Sequence, residues 1–125
     1  MNKLMRKWVK ALRSGKYKQG RGALYKHSNS TYCCLGVLCK VFDPKFDFDK
    51  ANSKGFLPMR VVKALGIDEW YFSDKHDGTD IMLDTEHYGT EPATALNDDF
   101  DQSFKDIANI IERTFGEGRE VGTNA

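Results

Sequence analysis

The chain has 125 residues, 40% of them apolar, which is enough for one hydrophobic core and argues against a wholly disordered protein. The net charge is only +1, yet the first 42 residues carry ten Lys and Arg and no acid, whereas all 18 acids and nine bases follow. No run of 18 apolar residues and no secretory signal pattern is present, so we expect neither a membrane span nor secretion.

The first predicted element is a basic amphipathic helix over residues 3–14. Leu4, Trp8, Ala11 and Leu12 recur at the spacing of one helical face, and bases cover the rest of the surface. Gly15 stands where a glycine commonly ends a helix.

A hairpin and a second helix are predicted next. After the loop KYKQGRG (residues 16–22), residues 23–26 and 31–33 read as two short strands joined by a four-residue polar connection. A helical rhythm then runs from Leu35 to Phe42 and ends at the Asp-Pro step. The three cysteines therefore fall near a strand-to-helix junction, in a segment that we expect in the core.

The central part of the chain is less regular. Residues 43–55 read as a surface excursion, and residues 57–65 as a helix with an early proline that ends at Gly66. An aromatic cluster, a turn-like stretch over residues 73–80 and a strand over residues 81–83 follow.

A short helical turn over residues 94–98 precedes a final helix that Ser103 caps. Its apolar stripe recurs at helical spacing and consists of Phe104, Ile107, Ala108, Ile111 and Phe115. We predict an α+β fold with one domain over residues 1–116 and a loose tail over residues 117–125.

Three blocks in order carry a resemblance: WVKALRSGKYKQGRGAL at residues 8–24, YCCLGVLC at 32–39 and ALNDDFDQSFKDIANIIE at 95–112, with LPMRVVKALGI between the last two. This pattern resembles a group of small uncharacterised proteins encoded by bacteriophages and prophages. The resemblance implies an accessory protein that disables a host pathway, for example by sequestering a nucleotide immune signal. It implies no catalytic residue.

The KYKQGRG loop is the best candidate for a ligand site. Lys16, Lys18 and Arg21 can neutralise phosphate, and Gly20 and Gly22 can bring backbone N–H groups close to an anion. The alternative is a solvated loop, with the basic third packed against the acidic remainder of the same fold or of a second copy in a homo-oligomer. Charge alone leaves both interpretations open.

Further ligand contacts could come from elsewhere in the chain. Trp70 and Tyr71 could stack on a nucleobase, and Arg113 could complete an anion pocket. Aromatic core packing or a subunit contact is the commoner explanation of such rings, and an ordinary ion pair is the favoured explanation of the arginine. We count Gln19 and Asn97 with these candidates.

A cysteine-dependent hydrolase or transferase is the enzymatic alternative. Gln19, Cys34, His87 and Asn97 occur in the chain order of papain-like enzymes, as oxyanion donor, nucleophile, base and orienting amide. The local signature of that family is absent, and the apolar setting of the cysteines favours inert thiols.

We expect no metal and no cofactor, since the histidines, cysteines and acids lack ligand spacing. The expected function is non-enzymatic inhibition or sequestration in the bacterial cytoplasm. The partner would be an anionic, nucleotide-like molecule or an acidic host protein, and a nucleic-acid-binding regulator is a further alternative. The pI near 7.7 and the acidic second part disfavour a long duplex.

Overall fold

The computed structural model describes residues 1–51, 57–68, 71–75 and 78–116 of the chain. Helices pack around one core, with a two-stranded sheet on one part of the chain and a three-stranded sheet on another. The predicted α+β class is confirmed. The predicted tail over residues 117–125 lies outside the described residues.

Helix α1 (Lys3–Arg13) buries one apolar face against α2 (Cys34–Phe42) and α6 (Phe104–Phe115). Asn2 caps its start by accepting the N–H of Met5, and Gly15 follows its end with φ of 75°. The prediction of Trp8 and Leu12 as core residues is confirmed, whereas Leu4 and Ala11 are only half-buried. The face also includes Met5 and Val9, so the buried stripe is rotated from the predicted one.

The predicted hairpin is present but shorter, with β1 (Tyr25–Lys26) antiparallel to β2 (Thr31–Tyr32). The KYKQGRG loop adds a third extended segment, because Tyr32 N–H donates to Lys18 C=O and Gly20 N–H donates to Tyr32 C=O. Helix α2 then begins at Cys34, with Cys33 as its N-cap, so the cysteines do lie at a strand-to-helix junction. A Cβ on Gly36 would lie 1.8 Å from the Leu24 carbonyl oxygen, which is why α2 can pack so closely on this hairpin.

The segment after α2 differs from the predicted surface excursion. Phe46 and Phe48 are buried, and α3 (Phe48–Ala51) forms one helical turn. These two aromatic side chains anchor the segment in the core, which its largely polar composition did not indicate. Helix α4 (Met59–Leu65) begins two residues later than predicted, with Pro58 as its N-cap, and ends as predicted at Gly66, whose φ is 62°.

The turn-like stretch over residues 73–80 was wrongly predicted. It contributes to two strands, β3 (Phe72–Lys75) and β4 (Gly78–Asp84), which pair antiparallel, and β4 also pairs with β5 (Thr90–Pro92). Polar residues such as Thr79 and Asp80 mimic a turn in the sequence, yet both are buried in β4. Asp80 accepts hydrogen bonds from Thr94 at the start of α5 (Ala93–Asp98), so a helix supplies its polar partners.

Helix α6 closes the core along α1. Ser103 and Asp106 form the predicted capping box, and the apolar stripe faces inward except for the half-buried Phe115. Trp8 lies at the centre of this packing and donates its indole N–H to the Cys34 carbonyl oxygen at 2.8 Å. The buried indole therefore has a hydrogen-bond partner.

Candidate functional site

The two halves of the KYKQGRG loop have different surroundings in the fold, and the side chain of its middle residue points inward. Gln19 Nε2 donates to Asn97 Oδ1 at 2.8 Å and to the Gln102 carbonyl oxygen at 2.9 Å. Gln19 and Asn97 were predicted as ligand contacts, and the structure brings them together as partners of each other. They fasten the loop to the α5–α6 junction.

Asn97 is the centre of this amide network, which comprises Gln19, Asn97, Gln102 and the Cys34 backbone N–H. Its Oδ1 also accepts the Cys34 N–H at 3.2 Å, and its Nδ2 donates to the Gly20 carbonyl and to Asp98 Oδ1, each at 2.8 Å. Asn97 is fully buried, and its amide makes four hydrogen bonds. An amide so fully satisfied is suited to holding the fold rather than to binding a ligand.

The backbone N–H groups expected to cradle an anion are already used. Gly20 N–H donates to Tyr32, and Gly22 N–H donates to Asp98 Oδ1 at 3.3 Å. A Cβ on Gly20 would come within 2.2 Å of the Thr31 hydroxyl, so packing accounts for this glycine. Arg21, predicted as a phosphate contact, pairs with Asp101. This half of the loop is engaged within the fold.

The catalytic alternative does not fit the geometry around Cys34. Its thiol is fully buried and donates to the Ala93 carbonyl oxygen at 3.5 Å, and burial raises its pKa well above the ordinary value. Burial likewise raises the pKa of Cys33 to about 12. His87, the predicted base, is exposed in the turn between β4 and β5. A thiol held neutral inside the core is a poor nucleophile.

The other half of the loop borders a cavity between α1 and α2. Four lysines line it: Lys7, Lys10, Lys16 and Lys40. Ala11, Ser14, Tyr17, Val41 and Pro44 complete its wall, and its volume is about 440 Å³. We call it the lysine cavity.

The lysines reach the cavity from three directions. Lys7 and Lys10 are three residues apart on α1 and therefore share a face, Lys16 follows the helix end, and Lys40 comes from the last turn of α2. Lys40 is half-buried, and its ammonium donates to the Pro44 carbonyl at 2.8 Å, which fixes one charge at the rim. The described residues that line the cavity include no Asp or Glu.

Residues 1–115 match the family described as Domain of unknown function (DUF8296). The chain belongs to this family. No curated protein and no solved structure matched the chain.

Ion pairs in this DUF8296 domain join the basic first third to the acidic remainder. Arg13 lies 2.5 Å from Glu112, Arg21 pairs with Asp101, and His27 Nε2 lies 2.8 Å from Asp49. Arg13 and Arg21 are thus engaged with acids, whereas four lysines line the cavity. Ion pairs within the fold therefore explain part of the charge asymmetry along the chain, and the lysines that line the cavity make up another part.

The remaining predicted contacts are spread over the DUF8296 domain. Tyr71 packs edge-on against Phe115 with ring centroids 4.7 Å apart, beside a second cavity of about 420 Å³ near the N-terminus. Arg113 is exposed in the last turn of α6, and Lys18 is exposed but does not line the lysine cavity. Trp70 lies outside the described residues. Arg60 lies over the Phe46 ring, 5.0 Å from its centroid.

Sequence reasoning found Lys16 but missed Lys7, Lys10 and Lys40. The spacing of Lys7 and Lys10 was visible on the predicted first helix, whereas the approach of Lys40 depends on how α2 packs against α1. In the described parts of the chain, no three His, Cys, Asp or Glu side chains gather where they could hold a metal ion. Likewise, no described helix combines the length and apolarity needed to cross a membrane.

Proposed function

We propose that this protein is a non-enzymatic binding protein that sequesters a phosphate-bearing anion in the lysine cavity. The observation that carries the proposal is the convergence of four lysines on one concave site whose described lining includes no acid. Like charges gathered in this way repel one another, and an anion with several negative charges relieves that repulsion. Elsewhere the fold pairs Arg13 and Arg21 with acids, so the contrast lies within the same basic segment.

Binding, rather than chemistry on the ligand, is what the site residues favour. Lysines hold phosphate as point charges, and the nucleophile candidate Cys34 is buried with its thiol bonded to a carbonyl. From the sequence resemblance we further propose that the protein is an accessory factor of the bacteriophage type that acts in the bacterial cytoplasm. Its role there would be to withdraw an anionic, nucleotide-like molecule from a host defence pathway. The three free cysteines suit that reducing compartment.

An acidic host protein is the second candidate partner, and the exposed basic face of α1 supports it. Lys3, Lys7 and Lys10 are exposed along this helix, so an acidic surface could lie across it. Such a partner would contact α1 as a whole, whereas a small anion needs the concave site formed with Lys40. The two candidates therefore differ in their dependence on Lys40 and Lys16.

Calorimetric titration with inorganic tripolyphosphate, at constant ionic strength near 0.1 M, tests the small-anion proposal. Lys16→Glu should weaken binding about tenfold, because it replaces one cation at the cavity with an anion. Lys18→Glu is the matched control, with the same charge change in the same loop but outside the cavity. Screening should keep its effect within about twofold.

Three results would count against the proposal. Equal losses in the Lys16 and Lys18 variants would mean that only the net charge of the loop matters. Absence of tripolyphosphate binding to the wild-type protein would reject anion binding at this site and favour the acidic protein partner. A steep fall in affinity for long nucleic acid with salt would favour the nucleic-acid regulator instead.

A further inference from the structure

The wall of the lysine cavity is not uniformly charged. Between the lysines it is formed by Ala11, Tyr17, Val41 and Pro44, and these side chains present a mainly apolar surface. A simple inorganic anion would satisfy the ammonium groups but would leave this surface in contact with water. The lining therefore fits a ligand with two chemically different parts, one multiply anionic and the other flat and apolar.

Tyr17 is the aromatic part of this wall, and the fold holds its ring in place. The ring is half-buried and meets the ring of Tyr32 edge-on, with centroids 5.2 Å apart and planes at 88°. The backbone just after Tyr17 is fixed as well, because residues 18–20 pair with β2 through the two hydrogen bonds of Tyr32. A ring that is already positioned loses little conformational entropy when a ligand packs against it.

A positive charge and an aromatic ring lie next to each other at Tyr17. The Lys16 ammonium lies over the Tyr17 ring, 5.7 Å from its centroid, while Lys7, Lys10 and Lys40 line the same cavity. A volume of about 440 Å³ is within the range of sites that enclose one small ligand. A nucleoside di- or triphosphate has both parts in one molecule, since its phosphates carry several charges and its base is planar and aromatic.

We infer that the ligand of the lysine cavity is a nucleotide whose phosphates are held by Lys7, Lys10, Lys16 and Lys40 and whose base packs against Tyr17. This inference rests on the proposed function, since it assumes that the cavity binds a phosphate-bearing anion. It adds that the base contributes to affinity and that Tyr17 is the residue that provides this contribution. The contact does not by itself select one base over another, because every nucleobase has an aromatic face.

The test compares the four ribonucleoside triphosphates with inorganic tripolyphosphate by calorimetric titration of the full chain. At least one nucleotide should bind about tenfold more tightly than tripolyphosphate, which is the size expected for one base–aromatic contact. Tyr17→Leu should abolish this advantage, measured as the ratio of the affinities for the nucleotide and for tripolyphosphate in the same variant, whereas Tyr17→Phe should retain it. Tyr88→Leu is the matched control, because Tyr88 is a 48% exposed tyrosine in the β4–β5 turn and does not line the cavity.

The outcomes separate this inference from the proposed function. Equal affinity for nucleotides and tripolyphosphate would overturn the nucleotide inference while anion binding stands. Failure of both probes to bind would overturn both. If the Tyr17→Leu variant does not fold, magnetisation transfer between base protons and the Tyr17 ring protons in the wild-type complex decides the question. Its presence supports the base contact, and its absence in a saturated complex rejects it.

Discussion

Two polar regions meet at the KYKQGRG loop, and they are built in opposite ways. The amide network around Asn97 is buried, and each donor and acceptor of the Asn97 side chain has a partner. The lysine cavity is open to solvent, and its four ammonium groups gather without an acid among the described lining residues. The first arrangement stabilises the fold, whereas the second leaves like charges close together, and a bound anion would relieve their repulsion.

The difference teaches that proximity of polar residues does not by itself mark a functional site. Gln19 and Asn97, both candidate ligand contacts in the sequence, lie next to each other, yet their hydrogen bonds are made within the chain. Lys16 lies in the same loop and faces a cavity with three other lysines. Within one loop, then, hydrogen-bond satisfaction distinguishes the residue that holds the fold from the residue that is available to a ligand.

The largest expected effect comes from removing the centre of the amide network. Asn97→Ala should lower the free energy of unfolding by about 3 kcal/mol, because it leaves buried partners such as the Cys34 N–H and the Gly20 carbonyl unsatisfied. Urea denaturation followed by circular dichroism measures this change. Asn109→Ala is the control, since Asn109 is exposed and accepts a hydrogen bond from the exposed Arg13 side chain. A fully stable Asn97→Ala protein that no longer binds tripolyphosphate would reverse our assignment of the two regions.

A smaller loss is expected at Cys34, which lies beside the amide network. Cys34→Ala should cost about 1 kcal/mol of stability through lost packing in the core and should leave anion binding unchanged. In the native protein all three thiols should resist alkylation by iodoacetamide, since burial raises their pKa values and shields them. Rapid alkylation confined to Cys34, followed by mass spectrometry, would instead revive the nucleophile hypothesis.

Lys7→Glu separates stability from binding at the cavity. The change places an acid between the bases Lys3 and Lys10 on α1, so stability without ligand should rise by a few tenths of a kcal/mol at most. Affinity for tripolyphosphate should fall about tenfold, which corresponds to about 1.4 kcal/mol. Thermal unfolding with and without tripolyphosphate measures both quantities. A variant that loses stability and binding together would show that Lys7 serves the fold.

The smallest effect is expected at the exposed ion pair of Arg13 and Glu112. Here, unlike at the cavity lysines, an acid neutralises the positive charge. The hydrogen bond from Arg13 lowers the pKa of Glu112, so the pair stabilises the fold above the ordinary Glu pKa and loses this contribution as the pH falls through the lowered value. Because both side chains are exposed by a third or more, Glu112→Gln should cost below about 0.5 kcal/mol at neutral pH. Denaturation at acidic and neutral pH should show the difference only at neutral pH.

Much of the fold was predictable because local signals and packing agree. Periodicity and capping predicted α1, α2 and α6, and glycines marked the ends of α1 and α4. The first part of β4 was predicted as a turn because its polar residues find their partners in other elements, where they are buried. Asp80 is the clearest case, since its carboxylate is bonded to Thr94, fourteen residues further along the chain.

The candidate site was predictable only in part. The absence of acids from the first 42 residues pointed to the segment that supplies most of the cavity lining, and the predicted ligand contact Lys16 is among the lining residues. Arg21 pairs with Asp101 and does not line the cavity, whereas the packing of α2 against α1 places Lys40 in the lining. Both events depend on residues distant in sequence, which no local pattern encodes.

The most direct test of the central claim is a titration of the isotopically labelled protein with tripolyphosphate, followed through its backbone amide resonances. We predict that the largest shifts fall on Lys7, Lys10, Lys16 and Lys40 and on the residues next to them. The amides of Gln19 and Asn97 should move little, because their network remains intact. Shifts centred instead on Arg21 or Arg113, or no shifts at all, would contradict the assignment of the lysine cavity as the ligand site.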